Sequence, residues 1–452
     1  MLKRASWSIP VQALFVITAL VATAAAQAPI PPTQPPPAGY DAALWDRAWK
    51  LHHAATVVDT HTDTTTRILD EDFDIGPRST TGHMDLPRIA EGGLDAAFYS
   101  IYVAASYYGD EQGLFGGKHG DNKANGSARR ALDMIDGFYR TVARYPDRMV
   151  ACCSVDDVRA AVRAGKHAAL MGIEGGHAIE GDLGLLRLFQ RLGVRYMTLT
   201  HTNHNEFADS CAEAEPRWGG LNQLGRKVVL EMNRLGVMVD VSHVSDATFY
   251  DVLRLTRAPV ICSHSSLRSI CPHQRNVTDE MLAAIARNGG VVMINYNCGF
   301  LDADYMKQSG ASDATRKIQE KAARDKFGAG STELKAALAK LDQRFPPPPR
   351  PKLAKLMQHL LRAIELAGPD HVGLGSDFDG VPCVPEGLDD VTCLPRITYE
   401  LLAAGQSEAT VRKVLGDNLL RVFAAVEQQA LQLRAEPPYR NDAATDHEPL
   451  AR

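Results

Sequence analysis

Two neighbouring stretches of the sequence decide the fold, and they read Val237-Met-Val-Asp-Val-Ser-His243 and Pro259-Val-Ile-Cys-Ser-His264. Each is short, mostly apolar, rich in β-branched residues and ends on a histidine. Continuous apolar runs of this kind are typical of parallel strands that helices cover on both faces. Because the carboxyl ends of the strands in a parallel barrel open on one face, we expect His243 and His264 to lie side by side.

Six further runs of the same kind occur along the chain, and segments with helical spacing separate them. They are Thr56–His61, Ala96–Val103, Ala168–Glu174, Arg195–His201, Gly290–Tyr296 and His371–Asp377. The segment Leu221–Leu235, for example, has apolar residues at Leu224, Val228 and Leu235, which is the periodicity of an amphipathic helix. Eight alternating strand and helix units predict a closed (β/α)8 barrel of the TIM type, with its active site at the carboxyl ends of the strands.

The rest of the chain divides into segments of distinct composition. Residues 1–26 have a basic start, an apolar run and a small-residue end, which predicts a signal peptide and export, with an uncleaved membrane anchor as the alternative. The proline-rich residues 27–40 predict an extended linker. Residues 41–430 then form the predicted barrel domain, with a charged helical insertion at about 301–350 that could mediate a homodimer. We expect residues 431–452 to be a polar tail, poorly ordered beyond Pro437.

The composition limits the kinds of molecule that the protein is expected to bind. The chain is 45% hydrophobic and 23% charged with a formal net charge of -5, values that are ordinary for a soluble globular protein. No basic stripe dominates any segment, so we expect no nucleic-acid partner. No second apolar run appears at the C-terminus, so we also expect no lipid-exchange tail and no stable membrane anchor.

The eight cysteines contain no C-x-x-C zinc pattern. Export would allow disulfides to form, and the candidate pairs are Cys271 with Cys298 and Cys383 with Cys393. Cys262 lies inside an apolar run, where a free buried thiol is an equal alternative.

Six of the eight predicted strands end on residues that can bind a metal or carry a proton. These residues are His61 with Asp63, Glu174, His201, His243, His264 and Asp377. Since all strand ends of a barrel open on the same pocket, residues far apart in the sequence should converge there. A lone histidine at a strand end is usually structural, but six such coincidences indicate one functional site.

The donor types suit two zinc ions, since three imidazoles and two carboxylates form a borderline-hard ligand set. His61 and Asp63 are two residues apart and share one face of an extended strand, so we expect both to reach one ion. His243 and His264, from neighbouring strands, could hold the second ion. Glu174 lies between the two pairs in barrel order and could bridge both ions, which could then share a hydroxide nucleophile.

Three further residues, Asp377, His201 and Arg275, complete the predicted site. We favour Asp377 as a general base that passes a proton to the leaving amine, with a ligand role as the alternative. We expect His201 to stabilise the oxyanion, with a zinc ligand or a structural histidine as the alternative. Arg275 suits bidentate binding of a carboxylate, against the alternative of a surface arginine. Asp379 is interpreted as a turn residue before Gly380.

The sequence resembles the membrane dipeptidases (renal dipeptidase-like), a family of the amidohydrolase superfamily. The matching motifs are Asp59-Thr-His-Thr-Asp63, Gly172-Ile-Glu-Gly-Gly-His177, Arg195-Tyr-Met-Thr-Leu-Thr-His201, Val239-Asp-Val-Ser-His243, Pro259-Val-Ile-Cys-Ser-His-Ser265, Arg275-Asn-Val277 and Gly375-Ser-Asp-Phe-Asp-Gly380. The resemblance extends from residue 56 to about 425, and the motifs taken together are specific for this family. The resemblance implies a binuclear zinc site with the five ligands given above, substrate roles for His201 and Arg275, and proton transfer by Asp377.

The resemblance also implies hydrolysis of dipeptides with tolerance for a D-residue at the C-terminal position, and some members open β-lactam rings. The chain departs from the family at the cysteines outside the Cys271 region, and in lacking the lipid-anchor tail of the animal members. Phe300 stands where a substrate-contacting tyrosine is expected, with Tyr296 as a candidate substitute. The competing hypotheses are an N-acyl amino acid hydrolase or deacetylase of the same superfamily, and a non-catalytic metal-stabilised binding protein.

Overall fold

Eight parallel strands close into a barrel, which confirms the predicted (β/α)8 fold. The protein is described by a computed structural model that covers residues 31–108, 126–327 and 331–450, so the predicted signal peptide lies outside the described residues. The strands are β1 (Val58–Thr62), β2 (Ala96–Tyr102), β3 (Met149–Ala151), β4 (His167–Glu174), β5 (Val194–Thr198), β6 (Met238–Asp240), β7 (Ile261–Cys262), β8 (Val291–Ile294) and β9 (Val372–Leu374). The barrel closes because β1 pairs with β9 and β2 pairs with β4.

The strand β3 was not expected. It lies in the long connection 104–167, which the sequence predicts to hold helices, and it pairs in parallel with the first residues of β4. The barrel is complete without β3, since the whole of β2 pairs with β4, from Ala96 opposite Ala168 to Tyr102 opposite Glu174.

Helices connect the strands on the outside of the barrel. They are α1 (Ala42–Ala54), α2 (Thr64–Asp70), α3 (Leu86–Gly92), α4 (Gly126–Arg144), α5 (Val155–Arg163), α6 (Leu183–Arg191), α7 (Gln223–Leu235), α8 (Asp246–Leu255), α9 (Asp279–Asn288), α10 (Cys298–Leu301), α11 (Ala303–Phe327), α12 (Thr332–Arg344), α13 (Leu353–Ala367), α14 (Leu394–Ala403), α15 (Glu408–Arg412) and α16 (Asn418–Leu433). Helix α7 shows how the sequence sets their bounds. The Asn222 side chain caps its start by accepting from the Gly225 N–H, and Gly236 ends it in the left-handed conformation.

The predicted insertion at about 301–350 consists of α11 and α12. An ion pair of 2.9 Å between Arg316 on α11 and Asp342 on α12 joins the two helices. Across the described part of the chain, no helix combines the length and the apolar character that crossing a bilayer requires.

Two layers of apolar side chains form the core. Alternate strand residues such as Phe98 and Tyr196 point into the barrel, while their neighbours such as Tyr99 pack outward against the helices. The Phe98 ring lies 6.3 Å from the ring of Phe423 on α16 and 5.2 Å from that of Tyr196. A side chain at Gly172 would meet the Tyr196 ring at 2.0 Å, so this glycine makes room for the tyrosine inside the barrel.

The C-terminal segment packs against the barrel, contrary to the expectation of poor order beyond Pro437. The Leu224 N–H at the start of α7 donates to the Asp446 carbonyl, and Lys227 forms an ion pair with the Asp446 carboxylate at 2.5 Å. The side chain of Asn441 bonds to the Leu183 N–H and the Gly181 carbonyl at the start of α6. A polar composition therefore did not prevent order, because the segment satisfies backbone groups that two helix starts leave open.

A disulfide joins Cys298 to Cys383 with 5.6 Å between their Cα atoms, so both predicted pairings are wrong. Cys271 and Cys393 are free, buried thiols, and so is Cys262. Cys298 follows β8 and Cys383 follows β9, so the pairing of these two strands brings the cysteines together. The predicted pairs joined cysteines that are close in sequence, whereas the observed pair follows from the adjacency of β8 and β9.

Candidate metal centre

The five predicted metal ligands meet at the carboxyl end of the barrel. His61 Nε2 lies 3.4 Å from Asp63 Oδ2 and 3.5 Å from Glu174 Oε2. On the other side of the same carboxylate, Oε1 of Glu174 lies 3.0 Å from His243 Nε2 and 3.2 Å from His264 Nε2. The two oxygens of Glu174 therefore face different side chains, Oε2 towards His61 and Oε1 towards His243 and His264.

The chemistry of this donor set fits metal ions. Three groups of donors have atoms within 4.8 Å of one another, namely His61–Glu174–His264, Glu174–His201–His243 and His61–Asp63–Asp377. Within the described residues, His61 Nε2 and Asp63 Oδ1 are buried without a hydrogen-bond partner. Such orphaned polar atoms are costly in a protein interior, and a bound cation would satisfy them.

The electrostatics of the cluster agree with this fit. Burial lowers the pKa of His243 and of His264 well below the usual value, and the charge of Arg275 adds to the lowering at both, after that of His61 at His264. These shifts favour the neutral imidazole that a metal ligand needs. Burial would also lower the pKa of His61, but Tyr196 and Glu174 outweigh it and raise that pKa well above the usual value. The surroundings of His61 Nε2 thus favour a positive charge. Burial would raise the pKa of Glu174, but His61 and the neighbouring histidines hold it well below its usual range.

Hydrogen bonds on the far side of two rings fix their orientation. His61 Nδ1 lies 2.7 Å from the Tyr196 hydroxyl, and His264 Nδ1 lies 2.7 Å from Ser263 Oγ. The Ser263 hydroxyl donates to Asp240 Oδ2 at 2.6 Å, so it can accept from a His264 Nδ1–H. This arrangement leaves the Nε2 lone pair of His264 free to bind a metal.

The turns that follow β6 and β9 bring unusual backbone into the site. His243, Asp377 and Asp379 all have φ of 64°, in the left-handed region that non-glycine residues rarely adopt. A side chain on Gly380 would meet Asp63 Oδ2 at 2.0 Å, so this turn also needs a glycine. Strained residues of this kind are concentrated at functional sites.

A cavity of about 350 Å³ opens over the donors. Asp63, Glu174, His201, His243 and Asp377 form its floor, and its walls include Tyr102, Thr202, Phe300 and Val381. A larger surface groove of about 880 Å³ beside Tyr250 contains none of the predicted site residues.

His201 and Asp377 lie at the edge of the cluster. His201 Nε2 is 3.8 Å from Glu174 Oε1, and its ring lies 4.3 Å from that of His243. Asp377 Oδ1 is 4.0 Å from His61 Nε2. Burial raises the pKa of Asp377 well above its usual value; His61 opposes this rise, while the charges of Asp63 and Glu174 add to it. Both residues also belong to the possible donor groups, so their alternative roles as ligands are compatible with the geometry.

Arg275 is buried beside the cluster, so the alternative of a surface arginine is wrong. Its guanidinium donates to Ser265 Oγ at 2.6 Å and to the His264 carbonyl at 2.9 Å, and its Nε has no partner in the described residues. It does not line the 350 Å³ cavity, but its Cζ lies 5.8 Å from the ring of Phe300, which does.

The structure adds residues that the sequence analysis missed. Asn295 donates to Asp377 Oδ2 at 2.8 Å, and Tyr102 packs edge-on against His201 with 4.9 Å between ring centroids. Both end or follow a strand, which is the signal that could have revealed them. Asp379 does lie in the predicted turn, but its buried carboxylate also accepts from Thr64 and from the His83 N–H.

A parallel (β/α)8 barrel with imidazoles and carboxylates converging at the carboxyl ends of its strands defines the class of barrel metallohydrolases. The family model of the membrane dipeptidases (Peptidase family M19) matches residues 45–437. The chain belongs to this family and is a metallo-dipeptidase.

Known proteins of this family are similar over most of their length. Dipeptidase aclJ of Aspergillus oryzae is 35% identical over 404 residues, 89% of this chain and 80% of its own. Dipeptidase tcpJ of Claviceps purpurea is 34% identical over 366 residues, 81% of this chain and 74% of its own. Among solved structures, dipeptidase AC, a metallopeptidase of family M19, has a TM-score of 0.65 at 28% identity, covering 82% of this chain and 98% of its own.

A metallopeptidase from Rhodobacter sphaeroides has a TM-score of 0.64 at 27% identity. The similarity covers 82% of this chain and 99% of that one, whose structure carries a phosphinate mimic of the dipeptide L-Ala-D-Ala.

Proposed function

We propose that this protein is an exported two-zinc dipeptidase that accepts a D-residue at the C-terminal position of its substrate. The observation that carries the proposal is the orientation of the Glu174 carboxylate. Its Oε2 faces His61, and its Oε1 faces His243 and His264. A single metal would need only one side of this carboxylate, whereas two ions would use both.

In this proposal His61 and Asp63 would hold one ion, His243 and His264 would hold the other, and the Glu174 carboxylate would contribute to both. Two zinc ions bound there would polarise the scissile carbonyl and lower the pKa of the attacking water. The lowered pKa values of His243, His264 and Glu174 favour the neutral imidazoles and the ionised carboxylate that metal ligands need.

Three side chains would stabilise the oxyanion, transfer the proton and bind the substrate carboxylate. His201 faces the cavity and can donate a hydrogen bond to the carbonyl oxygen as it becomes negative. Asp377 takes the proton of the attacking water and transfers it to the departing amine. Arg275 binds the free carboxylate of the substrate, using its unpartnered Nε or the nitrogen that now donates to Ser265.

Two observations support the substrate class, and two others support export. The cavity of about 350 Å³ lies in the range of small-molecule pockets, and the structure of the related Rhodobacter sphaeroides metallopeptidase carries a phosphinate mimic of the dipeptide L-Ala-D-Ala. The signal-like residues 1–26 and the disulfide Cys298–Cys383 support export to an oxidising compartment.

The test is a comparison of Gly-D-Ala with N-acetyl-D-Ala at matched zinc content. Both substrates have the same C-terminal residue and a free carboxylate, and only the first has a free amine. We expect the dipeptide to be hydrolysed much faster, and equal rates would favour the N-acyl amino acid hydrolase instead. Two bound zinc ions without hydrolysis of any dipeptide in a broad panel would favour the non-catalytic binding protein.

A further inference from the structure

The end of β8 carries a buried amide next to the proposed proton carrier. Asn295 is fully buried directly after β8, the strand that pairs with β9 and so lies beside Asp377. Its Nδ2 donates a hydrogen bond of 2.8 Å to Asp377 Oδ2. Its Oδ1 accepts from the backbone N–H of Asn297 at 2.5 Å.

These two contacts determine the orientation of the Asn295 side-chain amide. A backbone N–H can only donate, so the oxygen of Asn295 must face Asn297 and the NH₂ group must face Asp377. An amide NH₂ donates and does not accept, so Oδ2 of Asp377 is held as an acceptor. The other carboxylate oxygen, Oδ1, is directed to the donor cluster, 4.0 Å from His61 Nε2.

Neighbouring strands hold both partners in place. The Asp377 N–H donates to the His61 carbonyl at 3.0 Å, and Asp377 itself has the left-handed φ of 64°. On the other side, Ser266 Oγ donates to the Asn295 carbonyl at 3.2 Å. Within the described part of the chain, Asn295 is the one side chain that donates a hydrogen bond to Asp377, so its loss would leave Oδ2 without a donor.

We propose that Asn295 is a positioning residue for Asp377 in the hydrolysis described above, and the inference therefore rests on the proposed function. Its amide occupies Oδ2 and leaves Oδ1 to exchange the proton. In the reaction, an O–H bond of the attacking water breaks as its proton moves to Oδ1. The water oxygen bonds to the carbonyl carbon, the C–N bond of the amide breaks, and the same proton forms an N–H bond with the leaving amine, so that the carboxylate regains its charge.

The test uses Asn295→Leu, which keeps the volume of the side chain, and Asn295→Ala, which removes it. We expect kcat for Gly-D-Ala to fall about 10- to 100-fold in both, because general acid–base catalysis depends on the placement of the proton carrier. We expect KM to change by less than about twofold, and the zinc content measured by mass spectrometry to remain that of the unmodified protein.

A double-mutant cycle with Asp377→Asn separates positioning from a general structural effect. If Asn295 acts through Asp377, then Asn295→Ala should lower the residual kcat of Asp377→Asn by less than about twofold. Asn418→Ala is the matched control, since Asn418 is also buried and donates to the Pro369 and Val372 carbonyls at the opposite end of β9. It should lower the melting temperature and leave kcat unchanged.

An unchanged kcat in both Asn295 variants would overturn the inference, as would an equal further loss in the presence and absence of Asp377. These outcomes differ from a failure of the proposed function, in which the unmodified protein would not favour Gly-D-Ala over N-acetyl-D-Ala. If it hydrolyses N-acetyl-D-Ala instead, the same cycle is measured on that substrate. If the unmodified protein hydrolyses neither, both proposals are overturned.

Discussion

Tyr196 and His61 are joined inside the barrel by a contact of 2.7 Å between the phenol oxygen and Nδ1. Both side chains are fully buried, and Gly172 provides the space that the phenol ring occupies. If His61 donates its Nδ1–H to this oxygen, its Nε2 keeps the lone pair that faces Glu174 and Asp63. The tyrosine then determines the tautomer of a proposed metal ligand.

Replacing Tyr196 by Phe removes only the hydroxyl and should weaken metal binding about 10- to 100-fold, which is the usual effect of losing such a partner. The measurement is a zinc titration against a competing chelator. Tyr99→Phe is the matched control, because the Tyr99 hydroxyl is equally buried and contacts His167 Nε2 at 3.1 Å on the outward side of the sheet. Equal zinc affinities in both variants and the unmodified protein would contradict the assigned tautomer.

The change Asp377→Asn should separate proton transfer from metal binding. We expect turnover to fall about 10²- to 10⁴-fold while both zinc ions remain bound, because an amide cannot carry the proton. Kinetics and metal analysis on the same preparation provide the measurement. Loss of one ion would instead assign Asp377 as a ligand in the group His61–Asp63–Asp377.

Arg275→Ala should raise KM for substrates with a free carboxylate by about 10- to 100-fold, the effect expected for losing a charged hydrogen bond. Arg275→Lys should rescue this only in part, since an ammonium lacks the planar fork of the guanidinium. Comparison of a dipeptide with its C-terminal amide provides the measurement. If both substrates lose equally, Arg275 acts through Ser265 and the His264 carbonyl and not on the substrate.

A carboxylate at the amino end of the barrel should make stability depend on pH. Burial raises the pKa of Asp95 from 3.8 to about 7, and its Oδ2 accepts from the Val57 N–H at 2.8 Å. Because the folded pKa lies above the unfolded one, this group's stabilising contribution is complete below about pH 4 and is lost as the pH rises through about 7.

Asp95→Asn keeps the acceptor oxygen and removes the ionisation. It should therefore raise the free energy of unfolding at about pH 8 by on the order of 2 kcal/mol and have little effect near pH 4. Urea unfolding at the two pH values provides the measurement. A stabilisation that is the same at both would show that ionisation of Asp95 is not its source.

The barrel and its metal-binding face were predictable because each depends on a local signal. A continuous apolar run marks a buried parallel strand, and the parallel arrangement then brings His243 and His264 to the same face. Helix bounds such as those of α7 follow from side chains within a few residues of the helix end. These signals survive in a single sequence because they need no knowledge of distant contacts.

Features that depend on contacts between distant segments were missed or wrong. The Cys298–Cys383 bond spans 85 residues and required knowing that β8 and β9 are neighbours. The order of the C-terminal segment required knowing that two helix starts expose backbone N–H groups near Asn441 and Asp446. Asn295 was overlooked because its amide becomes informative only when its partner, Asp377, is known.

The disulfide also has a consequence for redesign of the protein. It links the segment that contains Phe300 to the segment that contains Val381, and both residues line the cavity. The disulfide therefore connects these two walls directly, independently of the chain between the two cysteines. Helices α11 and α12 lie within that span and pair with each other through Arg316 and Asp342. We therefore expect that α11 and α12 can be shortened or replaced by another sequence without a change in the shape of the cavity.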